Sequence, residues 1–196
     1  ALYVSLDGGQ TFMGMNNGLP DVPVHDLVIH PKAKELVVGT HGRSIYVADV
    51  QHLQQLDAAL MAKALHVFEV GSQKYSGYWG AERYDEGFYT IEVMLPVYLN
   101  QAGEIAVEVK DAGENVLKTL NHKGKKGLNY IKYDLTVEES SKSAYETHLN
   151  EEVEEEKEQV MLEKADDDNY YLQPGTYTIT VEGNGKTSST DLEIKK

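Results

Sequence analysis

The chain contains no cysteine. Disulfides and thiolate metal sites are therefore excluded, while the compartment stays open, because exported proteins can also lack cysteine. No stretch approaches the roughly 20 consecutive apolar residues that a membrane-spanning helix requires. Gly-x-Ser-x-Gly, His-Glu-x-x-His and the phosphate-binding P-loop are all missing, so no nucleophile, zincin or nucleotide motif directs the reading towards catalysis. Positive charge is scarce: 18 lysines and arginines face 32 acids, a net charge of -14. Nucleic acid and anionic lipid are poor partners for such a chain. The opening residues Ala1 to Ser5 show no initiator methionine, basic region or apolar signal core, so any export signal is expected upstream and the chain reads as part of something longer.

What is present is the composition of a folded β protein. Hydrophobic residues make up 41%, with 17 glycines and 13 tyrosines. The negative charge is not spread evenly, for Glu138 to Asp168 holds 13 acids and 3 basic residues, or -10 of the -14. Charge on that scale marks an insertion.

The first fifty residues read as short strands joined by tight turns. Ser5-Leu6-Asp7-Gly8-Gly9-Gln10-Thr11-Phe12 combines an aspartate able to accept backbone hydrogen bonds with glycines that tolerate positive φ. Thr11 and Phe12 then re-enter a strand, with the ring available to pack between sheets. Val24 to His30 forms a strand ended by Pro31, Glu35 to Thr40 a second, and Ser44 to Ala48 a third after His41-Gly42-Arg43.

The pattern Ser5-x-Asp7-x-Gly9-x-Thr11-Phe12 is similar to the Asp-box of sialidase-like and sortilin-like (BNR repeat) β-propellers. Together with Leu19-Pro20, Pro23-Val24-His25-Asp26-Leu27, His30-Pro31 and Thr40-His41-Gly42-Arg43-x-Ile45-Tyr46, residues 1–50 resemble the closing section of such a propeller. The resemblance implies that Ser5, Asp7, Gly9, Thr11 and Phe12 are structural and lie away from any ligand face. It also implies that residues 24–48 belong to a final blade completed by the propeller's upstream blades. His41 and Arg43 are the residues that could face a ligand from a blade loop; Arg43 pairing with a neighbouring blade and His41 capping its turn is the structural alternative.

Residues 51–87 read as a linker in which Val50, Leu53, Leu56 and Leu60 suggest a short amphipathic helix or two, followed by loop around Trp79. From residue 88 to 196 the period is two. Ile105, Val107 and Val109, then Tyr177, Ile179 and Val181, alternate with polar neighbours, and Asn100 to Gly103, Asp111 to Glu114 and Gly183 to Gly185 supply hairpin turns. Val109 to Val116, Gly127-Leu128-Asn129, Asp134-Leu135 and Pro174-Gly175-Thr176-Tyr177 resemble the Ig-like domain of the flagellar hook-capping family, with Tyr133 where that family usually carries tryptophan. An acidic helical insertion spans about 137–168. Thr136 to Glu139 and Ser143 to Glu146 match capping boxes, and Tyr145, Leu149, Val153 and Val160 form one stripe, giving an expected helix over Ser143 to Lys164.

Other chemistry is weaker. Asp166-Asp167-Asp168-Asn169 lacks the spacing of a calcium loop and reads as a solvated turn. His25 and His30 fall on opposite faces of a strand, which argues against a zinc site with His41. Trp79 with Tyr75, Tyr78 and Tyr84 is a packing anchor or a sugar-stacking surface.

The expectation is an all-β chain, incomplete propeller blades followed by an Ig-like β-sandwich. It would be the non-catalytic C-terminal region of a larger exported or cell-envelope β-propeller protein that serves protein or surface interaction or scaffolding, extracellular, cell-surface or periplasmic, with no cofactor and no metal. The alternative is the tail of a propeller glycoside hydrolase or sialidase whose catalytic acids lie upstream.

Overall fold

Short runs of Val, Ile, Leu and Tyr separated by glycine-bearing turns extend along the whole chain. The computed structural model, which describes residues 1–15, 18–151 and 159–196, is accordingly all-β, at 45% strand and 11% helix, with a sheet curled into a half-barrel. It contains two units, Ala1–Lys63 and Ala64–Lys196.

In the first unit, β1 (Tyr3–Val4) and β2 (Met13–Gly14) form a short antiparallel pair around the Ser5 to Phe12 turn. β3 (Val24–His30), β4 (Glu35–Thr40) and β5 (Ile45–Asp49) form an antiparallel sheet with β4 central. Two one-turn helices follow, α1 (Gln51–Gln54) and α2 (Ala58–Met61). Asp57 starts α2 by accepting from the Leu60 N–H at 2.7 Å, the usual satisfaction of a free amide at a helix start.

The sheet is apolar on both sides. Leu36, Val38 and Val50 are buried, with Leu2, Met15, Leu19, Tyr46 and Leu53 packed on them. Residues paired across strands share a face, so the register places Val28, Val37 and Val47 together on the other side, beside the Gly39 and Ile45 pair. There Val28 is 59%, Ile45 68% and Val47 59% exposed.

The second unit opens with β6 (Leu65–Val67), β7 (Gln73–Lys74), β8 (Glu82–Arg83) and β9 (Gly87–Phe88). The long strands are β10 (Val93–Leu99), β11 (Gly103–Lys110), β12 (Val116–Gly124) and β13 (Gly127–Tyr133). After β14 (Thr136–Val137) and a 3-10 turn at Glu139–Ser141 come α3 (Lys142–Asn150), β15 (Tyr170–Tyr171), β16 (Gly175–Gly183) and β17 (Lys186–Lys195). One sheet has the order β13-β10-β6, the other β12-β11-β16-β17-β7. Leu95, Val97 and Leu99 from the first and Val107, Val109, Ile179, Val181 and Leu192 from the second share one core.

Three local expectations change. Asn100 to Gly103 does not close a hairpin: β10 pairs with β13 and β6, so the chain crosses there from one sheet to the other. Thr136-Val137 is not a helix start. It pairs as a strand with Tyr171 and Tyr170, and the buried Tyr133 hydroxyl donates to the Thr136 carbonyl at 3.0 Å, holding it extended.

The expected helix over Ser143 to Lys164 is α3 alone among the described residues; Val153 and the rest of 152–158 lie outside them. Ser143 sits inside α3, and Glu146 accepts instead from the Leu162 N–H at 2.7 Å. Asn150 closes the helix by imitating a backbone pair, with its Nδ2 donating to the Val160 carbonyl at 2.9 Å and its Oδ1 accepting from the Val160 N–H at 2.7 Å.

Candidate functional site

Asp7 is the most conspicuous acid of the first unit, and its surroundings decide what it can do. Its carboxylate accepts four hydrogen bonds: from Ser5 Oγ at 2.8 Å, from the Gln10 and Thr11 N–H groups at 3.0 and 2.9 Å, and from Thr11 Oγ1 at 2.5 Å. Ser5 Oγ in turn accepts from the Gly9 N–H at 2.7 Å. Gly8 and Gly9 take φ values of 70° and 89°, which side-chain-bearing residues adopt only with strain. Phe12 is 64% exposed, and its ring is not enclosed between sheets within this unit.

The Thr11 hydroxyl first, then the Thr11 N–H and the Ser5 hydroxyl, pull the Asp7 pKa down to about 2. With three of these bonds on Oδ1 and one on Oδ2, all from its own turn, the carboxylate is a turn clamp. Because the folded pKa is depressed, its contribution to the turn is present above the ordinary value of 3.8 and is lost as pH falls through about 2. Carbon-detected NMR should place the Asp7 midpoint near 2, and Thr11→Val should raise it. A midpoint at the ordinary value in the parent chain would contradict the clamp.

The His41 to Ser44 loop is held in a different way. Gly42 and Ser44 both take positive φ, 72° and 108°. Thr40 Oγ1 donates to the Ser44 carbonyl at 2.6 Å and the His41 N–H to the Pro23 carbonyl at 3.0 Å. The His41 imidazole does not cap its own turn: it stacks on His25, with ring centroids 4.8 Å apart and planes 18° from parallel.

A register shift between Val24 and Asp26 puts His25 at a bulge, where alternation is interrupted and counting residues in twos no longer assigns a face. That pairing was not legible in the sequence; the adjacency of Val24 and Thr40 across the hairpin is the signal that could have found it. Arg43 is exposed. Among the described residues no cluster of three or more His, Asp or Glu side chains could hold a metal ion.

In the second unit Trp79 is buried, packed edge-on to Tyr75 at 5.4 Å and tilted against Tyr171 at 6.1 Å. It is therefore not part of an exposed stacking surface, although Tyr78 and Tyr84 are exposed. Asp166 and Asp167 are used locally: Asp166 accepts from the Glu82 N–H at 2.8 Å, and Asp167 accepts from Tyr171 Oη at 2.6 Å.

A cleft of about 300 Å³ is lined by Asp111, Tyr145, His148, Glu151, Thr176 and Tyr177, among others. Its carboxylate, imidazole and phenol groups are engaged with one another or with neighbouring residues. Both Asp111 oxygens accept from Asn115, at 2.9 to 3.2 Å, and His148 meets Glu151 at 3.1 Å. The Gln173 N–H donates to Tyr145 Oη at 2.9 Å, Tyr145 Oη contacts Tyr177 Oη, and Tyr177 donates to the Gln173 carbonyl at 2.6 Å. Burial pushes the Tyr145 phenol up to about 12. Such a phenol is a neutral lock between α3 and β16, with little capacity to exchange protons near neutral pH.

No protein-family model matches the chain. No curated protein matches it. Among solved structures, the crystal structure of dimeric latent PorU from Porphyromonas gingivalis is similar over 82% of this chain and 12% of that one, at 12% identity and a TM-score of 0.32. The chain thus corresponds to a small part of that protein's length.

Proposed function

We propose that the chain is a non-catalytic region of a larger exported or cell-envelope β-propeller protein, in which the first unit completes the propeller and the second, Ig-like unit serves protein or surface interaction. One observation carries this reading. The β3–β4–β5 sheet has one apolar face covered and a second, formed by Val28, Ile45 and Val47, exposed to solvent. A sheet apolar on both sides suits a place between two other sheets, as in a propeller.

The edge strand β3 adds to this, because Leu27 and Ile29 are also about half exposed, at 47% and 45%. An uncovered apolar edge of that kind is an association site. Ser5 to Phe12 fits the role of an Asp-box, since Asp7 spends its bonds on its own turn. Hydrogen exchange along β3 to β5 tests the reading, as set out at the close of the Discussion.

A further inference from the structure

Val116 to Tyr133 carries five lysines, Lys118, Lys123, Lys125, Lys126 and Lys132, and no aspartate or glutamate, within a chain of net charge -14. Two of the five are engaged. Lys118 Nζ donates to Thr136 Oγ1 at 2.8 Å, and Lys132 pairs with Glu92 at 2.7 Å. Lys123, Lys125 and Lys126 are exposed and, among the described residues, have no ion-pair partner. The carboxylate nearest in register is Glu104, opposite Lys123 on β11, and the two form no ion pair.

The backbone presenting these lysines is fixed. Asn129, itself buried, accepts from the Lys125 N–H at 2.8 Å and donates to the Lys125 and Gly127 carbonyls at 2.8 and 3.1 Å. Gly127 takes a φ of 100°. A Cβ on Gly124 would lie 2.6 Å from Leu99 Cδ1 and 2.7 Å from Ile105 Cδ1, so the turn is seated directly on the core. Three cations without an ion-pair partner among the described residues therefore stand on a braced corner between the two sheets.

We propose that this corner docks an acidic peptide segment of a protein partner, held by Lys123, Lys125 and Lys126. Carboxylates are the fitting anions. The corner has no arginine, so the bidentate fork that favours phosphate and sulfate is missing, while lysine offers point charges that carboxylates on an extended peptide can meet singly. An anionic bilayer is a poorer match, because three lysines attract it weakly while the remaining charge of the chain is repelled. Protection of an edge strand from aggregation would be served by charge of either sign, and charge reversal separates that role from docking. The inference concerns the second unit alone and does not depend on whether the first unit completes a propeller.

The test is fluorescence anisotropy of a dye-labelled Asp/Glu-rich peptide titrated with the intact 196-residue chain. Binding is expected at about 50 mM NaCl and should weaken about tenfold or more at about 300 mM, where screening shortens the reach of the lysines. The triple variant K123E/K125E/K126E should lose about tenfold or more at the lower salt, with circular dichroism and tryptophan fluorescence unchanged. Reversal of Lys74, Lys195 and Lys196, which lie at the opposite end of β7 and β17 from the turn level with Lys123, should alter binding less than about twofold, as expected for charges beyond screening range. The proposal is overturned by an absence of binding at low salt or by full binding in the corner variant. Equal loss in the control variant, or binding to polyuronate or phosphatidylglycerol vesicles without binding to the peptide, would overturn it as well.

Discussion

Tyr133→Ala is expected to destabilise the second unit by about 3–5 kcal/mol, the range for truncating a fully enclosed aromatic side chain. Tyr133 is one of the largest side chains with no exposed surface, and its hydroxyl supplies the 3.0 Å bond to the Thr136 carbonyl. That bond holds β14 in place, so the substitution removes core volume and also frees the segment leading into α3. Tyr133→Phe keeps the ring and loses only the hydrogen bond, which should cost about 1 kcal/mol, or somewhat more if the carbonyl is left dry. Chemical denaturation followed through the single tryptophan separates the two variants. Equal stability of the Ala and Phe variants would contradict the packing described here.

Gly80→Ala should cost a comparable amount, about 3–5 kcal/mol, for a different reason. Gly80 has φ of 76°, and a Cβ there would lie 2.5 Å from Asp167 Oδ1 and 2.7 Å from Ala165 Cβ and Tyr171 Cε2. Left-handed strain and overpacking add together. The Gly80 N–H donates to the Tyr89 carbonyl at 2.9 Å, and the Asp167 N–H donates to the Gly80 carbonyl at 3.1 Å. Displacement of this residue would therefore lift the neighbouring Trp79 from its place between Tyr75 and Tyr171. A red shift of tryptophan emission should accompany the lower midpoint. An unshifted spectrum with unchanged stability would mean that the 78–89 loop is not docked as described.

Neither effect could be read from the sequence, and the reasons are instructive. Nothing in the local sequence marks Gly80 among the glycines of its loop, since its crowding comes from residues 165 to 171, far along the chain. The strands around Val107 and Ile179 were legible because a half-buried strand writes its burial as a period of two. Which strands pair is decided by contacts across the core. For that reason the hairpin expected after Leu99 is instead a passage between the two sheets. The two capping-box patterns misled in the same way: Thr136-Val137 finds a strand partner at Tyr170-Tyr171, and Glu146 finds the Leu162 amide, and both tertiary partners outweigh a local helix start.

At the candidate sites, the Asp7 turn was legible because all its partners lie within six residues. The His25 and His41 stack was hidden by a bulge, which breaks the alternation on which the face assignment depended. The lysine corner stood in the sequence as composition, but only the structure shows Asn129 bracing it and Lys123, Lys125 and Lys126 without ion-pair partners among the described residues.

The exposed apolar face formed by Val28, Ile45 and Val47 is the centre of the functional proposal, and hydrogen exchange of the isolated 196-residue chain tests it most directly. Strands that lack their neighbours open by local unfolding more often than strands enclosed in a core. The prediction is weak protection across Val24 to Asp49 beside strong protection in β10, β11 and β16, with association of the chain as its concentration rises. A monomeric chain with β3 to β5 protected as fully as β10 would show that the first unit is complete by itself, and would contradict its assignment as part of a larger propeller.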